Sequence, residues 1–183
     1  MSGKRFVLGA MVSATVLAGV ASAVGVAGVG VRVPVCAVSQ LSPVYVSSTG
    51  AAGSVDGEYG FESLSGRRCR LVGYPTVRML TRPGAALSTT ERHAARGAFG
   101  ITAKPVSLDH GSVAYFGIHY AAATGFGNLK CPTSAALRLT APGDATGLVL
   151  HGPGGRVRPF GGTTVHLHCG IVYVSPLTAN RFQ

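Results

Sequence analysis

With 183 residues, 27 of them glycine and 10 proline, the chain has enough length for one domain with a buried core, is rich in turn formers and requires no second domain. It contains no tryptophan, so nothing in it supplies a tryptophan platform for sugars. Its charge is sparse and one-sided, 16 basic against 6 acidic residues, a balance that favours anionic polymers such as lipid headgroups, wall polymers or nucleic acid without selecting among them and without any sign of specific nucleic-acid recognition.

Lys4 and Arg5 precede an uncharged run from Phe6 to Val31 built of alanine, glycine and valine, the pattern of an export signal. A signal core needs roughly 7–15 apolar residues and a membrane span about 20, so the same run also has the length of an uncleaved anchor. Ala21-Ser22-Ala23 has the small-residue form that a signal peptidase cuts, and the glycines from Gly25 onward suit a membrane helix poorly. The expected organisation is a signal peptide over residues 1–23, a linker over 24–35, a single domain over 36–177 and a tail over 178–183. Cleavage takes Lys4 and Arg5 with it, leaving 160 residues with 14 basic against 6 acidic and a net charge of +8. Lipidation of Cys36 is not expected, because Val33-Pro34-Val35 before it is bulky and broken by proline.

Beyond Pro34, short runs of Val, Tyr, Phe, Leu and Thr alternate with Gly, Pro, Asp and Ser clusters, the pattern of an all-β domain. Strands are expected over residues 44–47, 59–64, 76–80, 113–120, 136–140, 148–150 and 164–174, with turns at Arg82-Pro83-Gly84, Asp109-His110-Gly111 and Gly152-Pro153-Gly154-Gly155. Seven short strands fit an all-β, immunoglobulin-like β-sandwich. Residues 89–98 alone read as helical, with Thr90 as N-cap and Gly97 as stop, and fit a loop equally well. In residues 113–120, alternation assigns Ala114, Phe116, Ile118 and Tyr120 to the core and turns Tyr115 and His119 outward. In residues 164–169, Val165, Leu167 and Cys169 alternate with His166 and His168, which places both histidines opposite a core-facing half-cystine. Val172 and Val174 continue the apolar set only if the register slips by one, which makes Gly170 a candidate bulge.

Cys36, Cys69, Cys131 and Cys169 are four in number after an export signal, which reads as two disulfides with three connectivities open. Zinc sites need close cysteine pairs, and these are widely separated.

Arg68-Cys69-Arg70-Leu71-Val72-Gly73-Tyr74-Pro75, with Cys36 upstream, Cys131 later and Cys169 ahead of Val174-Ser175-Pro176, resembles the actinobacterial secreted family called domain of unknown function 4232 across residues 36–177. One stretch departs from that pattern: Glu62-Ser63-Leu64-Ser65-Gly66 stands where the family has an L-x-N turn. The resemblance implies a secreted or envelope protein of a high-GC Gram-positive organism, a β-sandwich-like fold, and pairing of Cys36 with Cys69 and of Cys131 with Cys169. It carries over no activity and no functional residues.

Several constellations bear on chemistry. His166 and His168 stand at i and i+2, their Cα atoms about 6.5 Å apart on one strand face. They form a candidate metal pair that needs a third ligand such as His110, His119 or His151, set against the simpler reading of two solvated histidines. Asp56, Glu58 and Glu62 share a strand face and offer a carboxylate pair within glycosidase range; the simpler reading is a charged solvent face near a sheet edge. No G-x-S-x-G elbow is present, and Asp109-His110 are turn neighbours without triad geometry. Gly152-Pro153-Gly154-Gly155 lacks the lysine of a phosphate loop. Arg67, Arg68 and Arg70, and Arg156 with Arg158, read as solubilising charge or as an anion surface. Gly73-Tyr74-Pro75 reads as a rigid turn.

The expectation is therefore a secreted or cell-envelope, non-catalytic module without cofactor that binds an anionic envelope polymer or a protein partner and meets membrane only through an uncleaved N-terminal segment. A metal-binding protein or metalloenzyme centred on His166 and His168 is the alternative. N-terminal sequencing of protein from culture supernatant is expected to read from Val24; recovery only of membrane-bound protein still carrying Lys4 would show an anchor.

Overall fold

A computed structural model describes residues 32–51, 53–94, 99, 101–121, 131–151 and 167–182, all within the unit Arg32–Gln183. Among these residues a short 3-10 turn, Val38–Gln40, precedes ten strands: β1 Leu41–Ala51, β2 Ser54–Ser63, β3 Cys69–Leu71, β4 Thr76–Leu80, β5 Thr90–His93, β6 Val106–Leu108, β7 Val113–Ala121, β8 Ala136–Thr140, β9 Leu148–His151 and β10 Ile171–Val174. They form a five-stranded sheet in the order β1-β2-β7-β10-β5, a three-stranded sheet β4-β8-β9 and a ribbon β3-β6. All pairings are antiparallel except β10 with β5. The chain is all-β and sandwich-like, as its alternation of strands and turns predicts.

Period-two burial fixes which face each strand turns inward. In β4, Val77 and Met79 are buried while Thr76 and Arg78 are exposed; in β8, Leu137 and Leu139 are buried and Arg138 is exposed. In β7, Ala114, Phe116, Ile118 and Tyr120 are buried and Tyr115 and His119 only half-buried, as alternation anticipates. The three-stranded sheet covers the inner face of the five-stranded one, with β9 against β1 and β4 against β10. Between them a single core gathers Tyr59, Phe61, Phe116, Ile118, Val172 and Val174 from one side and Val77, Met79, Leu137, Leu139 and Leu150 from the other, and Leu71 and Leu108 of the ribbon join it. Tyr45 meets Tyr59 edge-on at 5.5 Å, Tyr59 stacks on Phe116 at 5.9 Å, and Phe116 on Phe61 at 5.6 Å. Aromatic pairs of this kind add about 0.5–1.5 kcal/mol each beyond area burial.

Cys36 is bonded to Cys69 and Cys131 to Cys169, the pairing the family resemblance implies, and no described cysteine is free. The first bond fastens the entering chain, which pairs at Val35 with Arg70, to β3. The second lies beside the bridge of Thr133 with His168, where the Cys169 amide donates to the Pro132 carbonyl.

Two expectations change. Residues 90–93 are not helical: they form β5, an edge strand parallel to β10, with the Thr90 amide on the Gly170 carbonyl and the Ala94 amide on that of Val174. Its polar, mostly exposed side chains give no apolar alternation to read, and the unpaired edge of β10 supplies the hydrogen bonds that decide the conformation. Ala95 to Ala98 lie outside the described residues. The long strand expected over 164–174 is only Ile171–Val174, because Cys169 and Gly170 adopt φ of 66° and 71° and turn the chain. The register does slip there, but through two left-handed residues, so Cys169 is half-buried and not a core-facing strand position. Residues 164–166 lie outside the described residues. The acids of β2 lie near a sheet edge as expected, one strand in from β1. Within the expected tail, Thr178 exchanges both backbone hydrogen bonds with Tyr115. The turns at Gly84 and Gly111 carry φ of 91° and 75°, values glycine adopts without strain.

Burial, followed by the neighbouring Tyr120 and Tyr45, pushes the Tyr59 phenol well above its usual range. A raised folded-state value means that stability is complete below the unfolded pKa of about 10 and is lost as pH climbs beyond it. Alkaline titration by circular dichroism is expected to show unfolding setting in above about pH 10, and Tyr59→Phe is expected to flatten that limb.

Candidate functional site

Because Tyr59, Phe61 and Phe116 point inward, the residues between them build the outer face of the five-stranded sheet. A bulge at Val46 shifts the β1 register, so that Tyr45 faces Tyr59 but Ser47 faces Glu58. Val44 and Val46 pack with Val113 as a small outer cluster, and after the bulge Ser47 and Thr49 stay on that face. Two cross-strand rows result. One runs Thr49, Asp56, His119, Tyr173, Arg92 across all five strands; the next runs Ser47, Glu58, Gly117.

Glu58 is buried although it lies on this outer face. Its Oε2 accepts from Ser47 Oγ at 3.1 Å and from Arg181 Nε and Nη2 at 3.1 and 2.9 Å, and its Oε1 from the Phe182 amide at 2.9 Å. Those four bonds use the capacity of a carboxylate. The C-terminal residues are thereby strapped over β2 and β7, and the Phe182 ring meets Phe99 edge-on at 5.4 Å. Phe99 rests over Gly117, where any side chain would collide with its ring. Between strap and sheet lies a recess of about 600 Å³ bordered by Ser47, Thr49, Asp56, Ile101 and Asn180. Asp56 Oδ1 holds His119 Nδ1 at 2.8 Å, and the His119 ring meets Tyr173 edge-on, with Arg92 6.0 Å above the Tyr173 ring.

These contacts answer the carboxylate question. Asp56 and Glu58 do share a face, but Glu58 is committed to Arg181 and to backbone, while Asp56 orients an imidazole. Neither stands as one of a free pair. Sequence reading missed Arg181 and Phe182 because they fall in what reads as a tail; only the buried acid on β2 demands a cation, and no local pattern says which.

The other sequence candidates disperse. His168 Nδ1 bonds Thr133 Oγ1 at 2.9 Å; His166 lies outside the described residues, among which no group of three or more His, Cys, Asp or Glu is placed to hold a metal ion. Arg68 grips Asp109 through Nε and Nη2, both at 2.9 Å, on the exposed surface. That hydrogen-bonded pairing holds the Asp109 carboxyl below its usual range and raises the Arg68 guanidinium. Arg70 Nε donates to the Val33 carbonyl, so the arginines around Cys69 do not converge. Arg156, Arg158 and the Gly152-to-Gly155 turn lie outside the described residues. Gly73 takes φ of 109°, and Tyr74 stacks face-on over His93 at 4.0 Å.

The outer face of the three-stranded sheet differs in charge. Arg78 and Arg138 are directly opposed in the β4-β8 register, flanked by Thr76 opposite Thr140 and by Val149 of β9. No acid lies on these strands: Asp144 caps the β8-β9 turn, accepting from the Val38 and Thr146 amides, and Glu91 of β5 accepts from the Val77 amide at the β4 edge.

Glu58→Ala is expected to cost about 1–3 kcal/mol, the range for stripping a buried hydrogen-bonded acid from a half-exposed cation. It is also expected to release Arg181 and Phe182 to carboxypeptidase; chemical denaturation and timed digestion would measure the two effects.

No curated protein matches the chain, and no solved structure matches it. The family model described as a domain of unknown function, DUF4232, matches residues 36–176. That match covers both disulfides and every strand, so the chain belongs to the DUF4232 family.

Proposed function

We propose that the protein is an exported, non-catalytic sandwich module at the envelope of a high-GC Gram-positive organism, where it binds an anionic envelope polymer. The charged-then-apolar N-terminus supports export, and two disulfides fit an oxidising compartment. One observation carries the binding reading: the named acids are each engaged by the protein's own groups while most described arginines face solvent. Asp56, Glu58, Glu91, Asp109 and Asp144 each hold an imidazole, a guanidinium or backbone amides. Of the arginines, Arg68 and Arg181 are matched by carboxylates, whereas Arg32, Arg67, Arg78, Arg82, Arg92 and Arg138 are exposed. A surface so composed attracts polyanions without reading sequence in them. The absence of a nucleophile elbow and the engagement of Asp56 and Glu58 in structural bonds favour binding over hydrolysis.

Residues 24–183 are expected to bind immobilised polyphosphate at low salt and to lose affinity steeply between about 50 and about 200 mM salt, as counterion release requires. Lack of retention at low salt would sink the reading.

A further inference from the structure

We propose that Arg78 and Arg138, opposed on the outer face of the three-stranded sheet, form a phosphate subsite for a linear polyanion; this rests on the binding reading above. Register puts the two residues directly across from each other on antiparallel strands, their side chains on one exposed face. Directly opposed like charges destabilise a sheet, and no carboxylate on β4, β8 or β9 offsets these two. Arg78 reaches towards Thr89 and Arg138 across Gly147, so a linear polyanion laid over the face meets each guanidinium with its own phosphate and offsets that repulsion.

The surroundings are arranged for such a role. Arg78 Nη1 donates to the Thr89 carbonyl at 3.0 Å, which fixes one guanidinium and leaves its remaining donors for a ligand. Arg138 lays its aliphatic stem across Gly147, where a side chain would collide with Arg138 Cγ and Thr140 Oγ1. Thr76 and Thr140 add hydroxyls one row along, and His151 of β9 lies one row the other way. Both cations are arginine, whose planar fork matches phosphate oxygens two at a time. The occupant is a phosphate-bearing chain and not a bilayer, because Val149 is the one exposed large apolar residue on these three strands, too little for interfacial insertion.

Binding to polyphosphate of the mature protein, of Arg78→Ala with Arg138→Ala, of Arg78→Lys with Arg138→Lys, and of Arg67→Ala with Arg82→Ala tests the assignment by titration across salt. The alanine pair is expected to lose at least about tenfold in affinity and to lower the log-log salt slope by about 1.4–1.8, while the Arg67 and Arg82 pair, equal in charge lost, changes affinity less than about threefold. The lysine pair keeps its charge and slope but is expected to lose about threefold or more through loss of the fork. Equal losses in the two alanine pairs, or full affinity in the lysine pair, would overturn the subsite while leaving polyanion binding standing. Failure of wild type to bind would instead remove the reading beneath it. Tighter, Arg78- and Arg138-dependent binding to vesicles of phosphatidylglycerol than to polyphosphate would overturn the choice of occupant.

Discussion

Tyr45, Tyr59, Phe116 and Phe61 come from three neighbouring strands and meet ring to ring on the inner face of the larger sheet. Since strand side chains alternate, a slip of one residue between any two of those strands would drive a ring into solvent and draw a polar residue into the core. The rings therefore lock the register of β1, β2 and β7 together. What lies on the opposite face is a corollary of that lock: Glu58 beside Ser47, and Asp56 beside His119. Burial of four rings thus determines where the charged groups on the opposite face stand.

The outer faces of the two sheets follow different electrostatic logics. On the larger sheet Asp56 and Glu58 are both engaged, Asp56 by His119 and Glu58 by Ser47, Arg181 and Phe182. Glu58 thereby holds Arg181 and Phe182 over the sheet. On the smaller sheet two arginines stand in register without an acid on their strands. Internally satisfied charge serves folding, and uncompensated charge is what remains available to a partner.

How far the sequence discloses this depends on whether a feature is local. Strands β4, β7 and β8 and their buried faces are legible because apolar residues alternate without interruption, and the turns at Gly84 and Gly111 because glycine marks them. The bulge at Val46 is not legible: Val44-Tyr45-Val46 looks like an even apolar run, and only the opposing strand shows that one residue is extra. Strand β5 escapes because its conformation comes from the edge of β10, some eighty residues away. The same holds for the pairing of Glu58 with Arg181 and for Arg78 opposite Arg138, which are statements about register and not about composition. The disulfide pairing became legible only through family likeness, since spacing alone permits three.

The position of β10 has a kinetic consequence. This strand, drawn from the last dozen residues of the chain, sits inside the larger sheet between β7 and β5. Until it arrives, β7 has one open side and β5 has no sheet to join; the Glu58 strap, which follows β10, must close later still. A nascent chain lacking its final segment would present an exposed edge along β7, a template for pairing with other chains. Contacts so distant in sequence also slow folding. Loss of β10 should therefore act on assembly of the whole larger sheet and not on its margin.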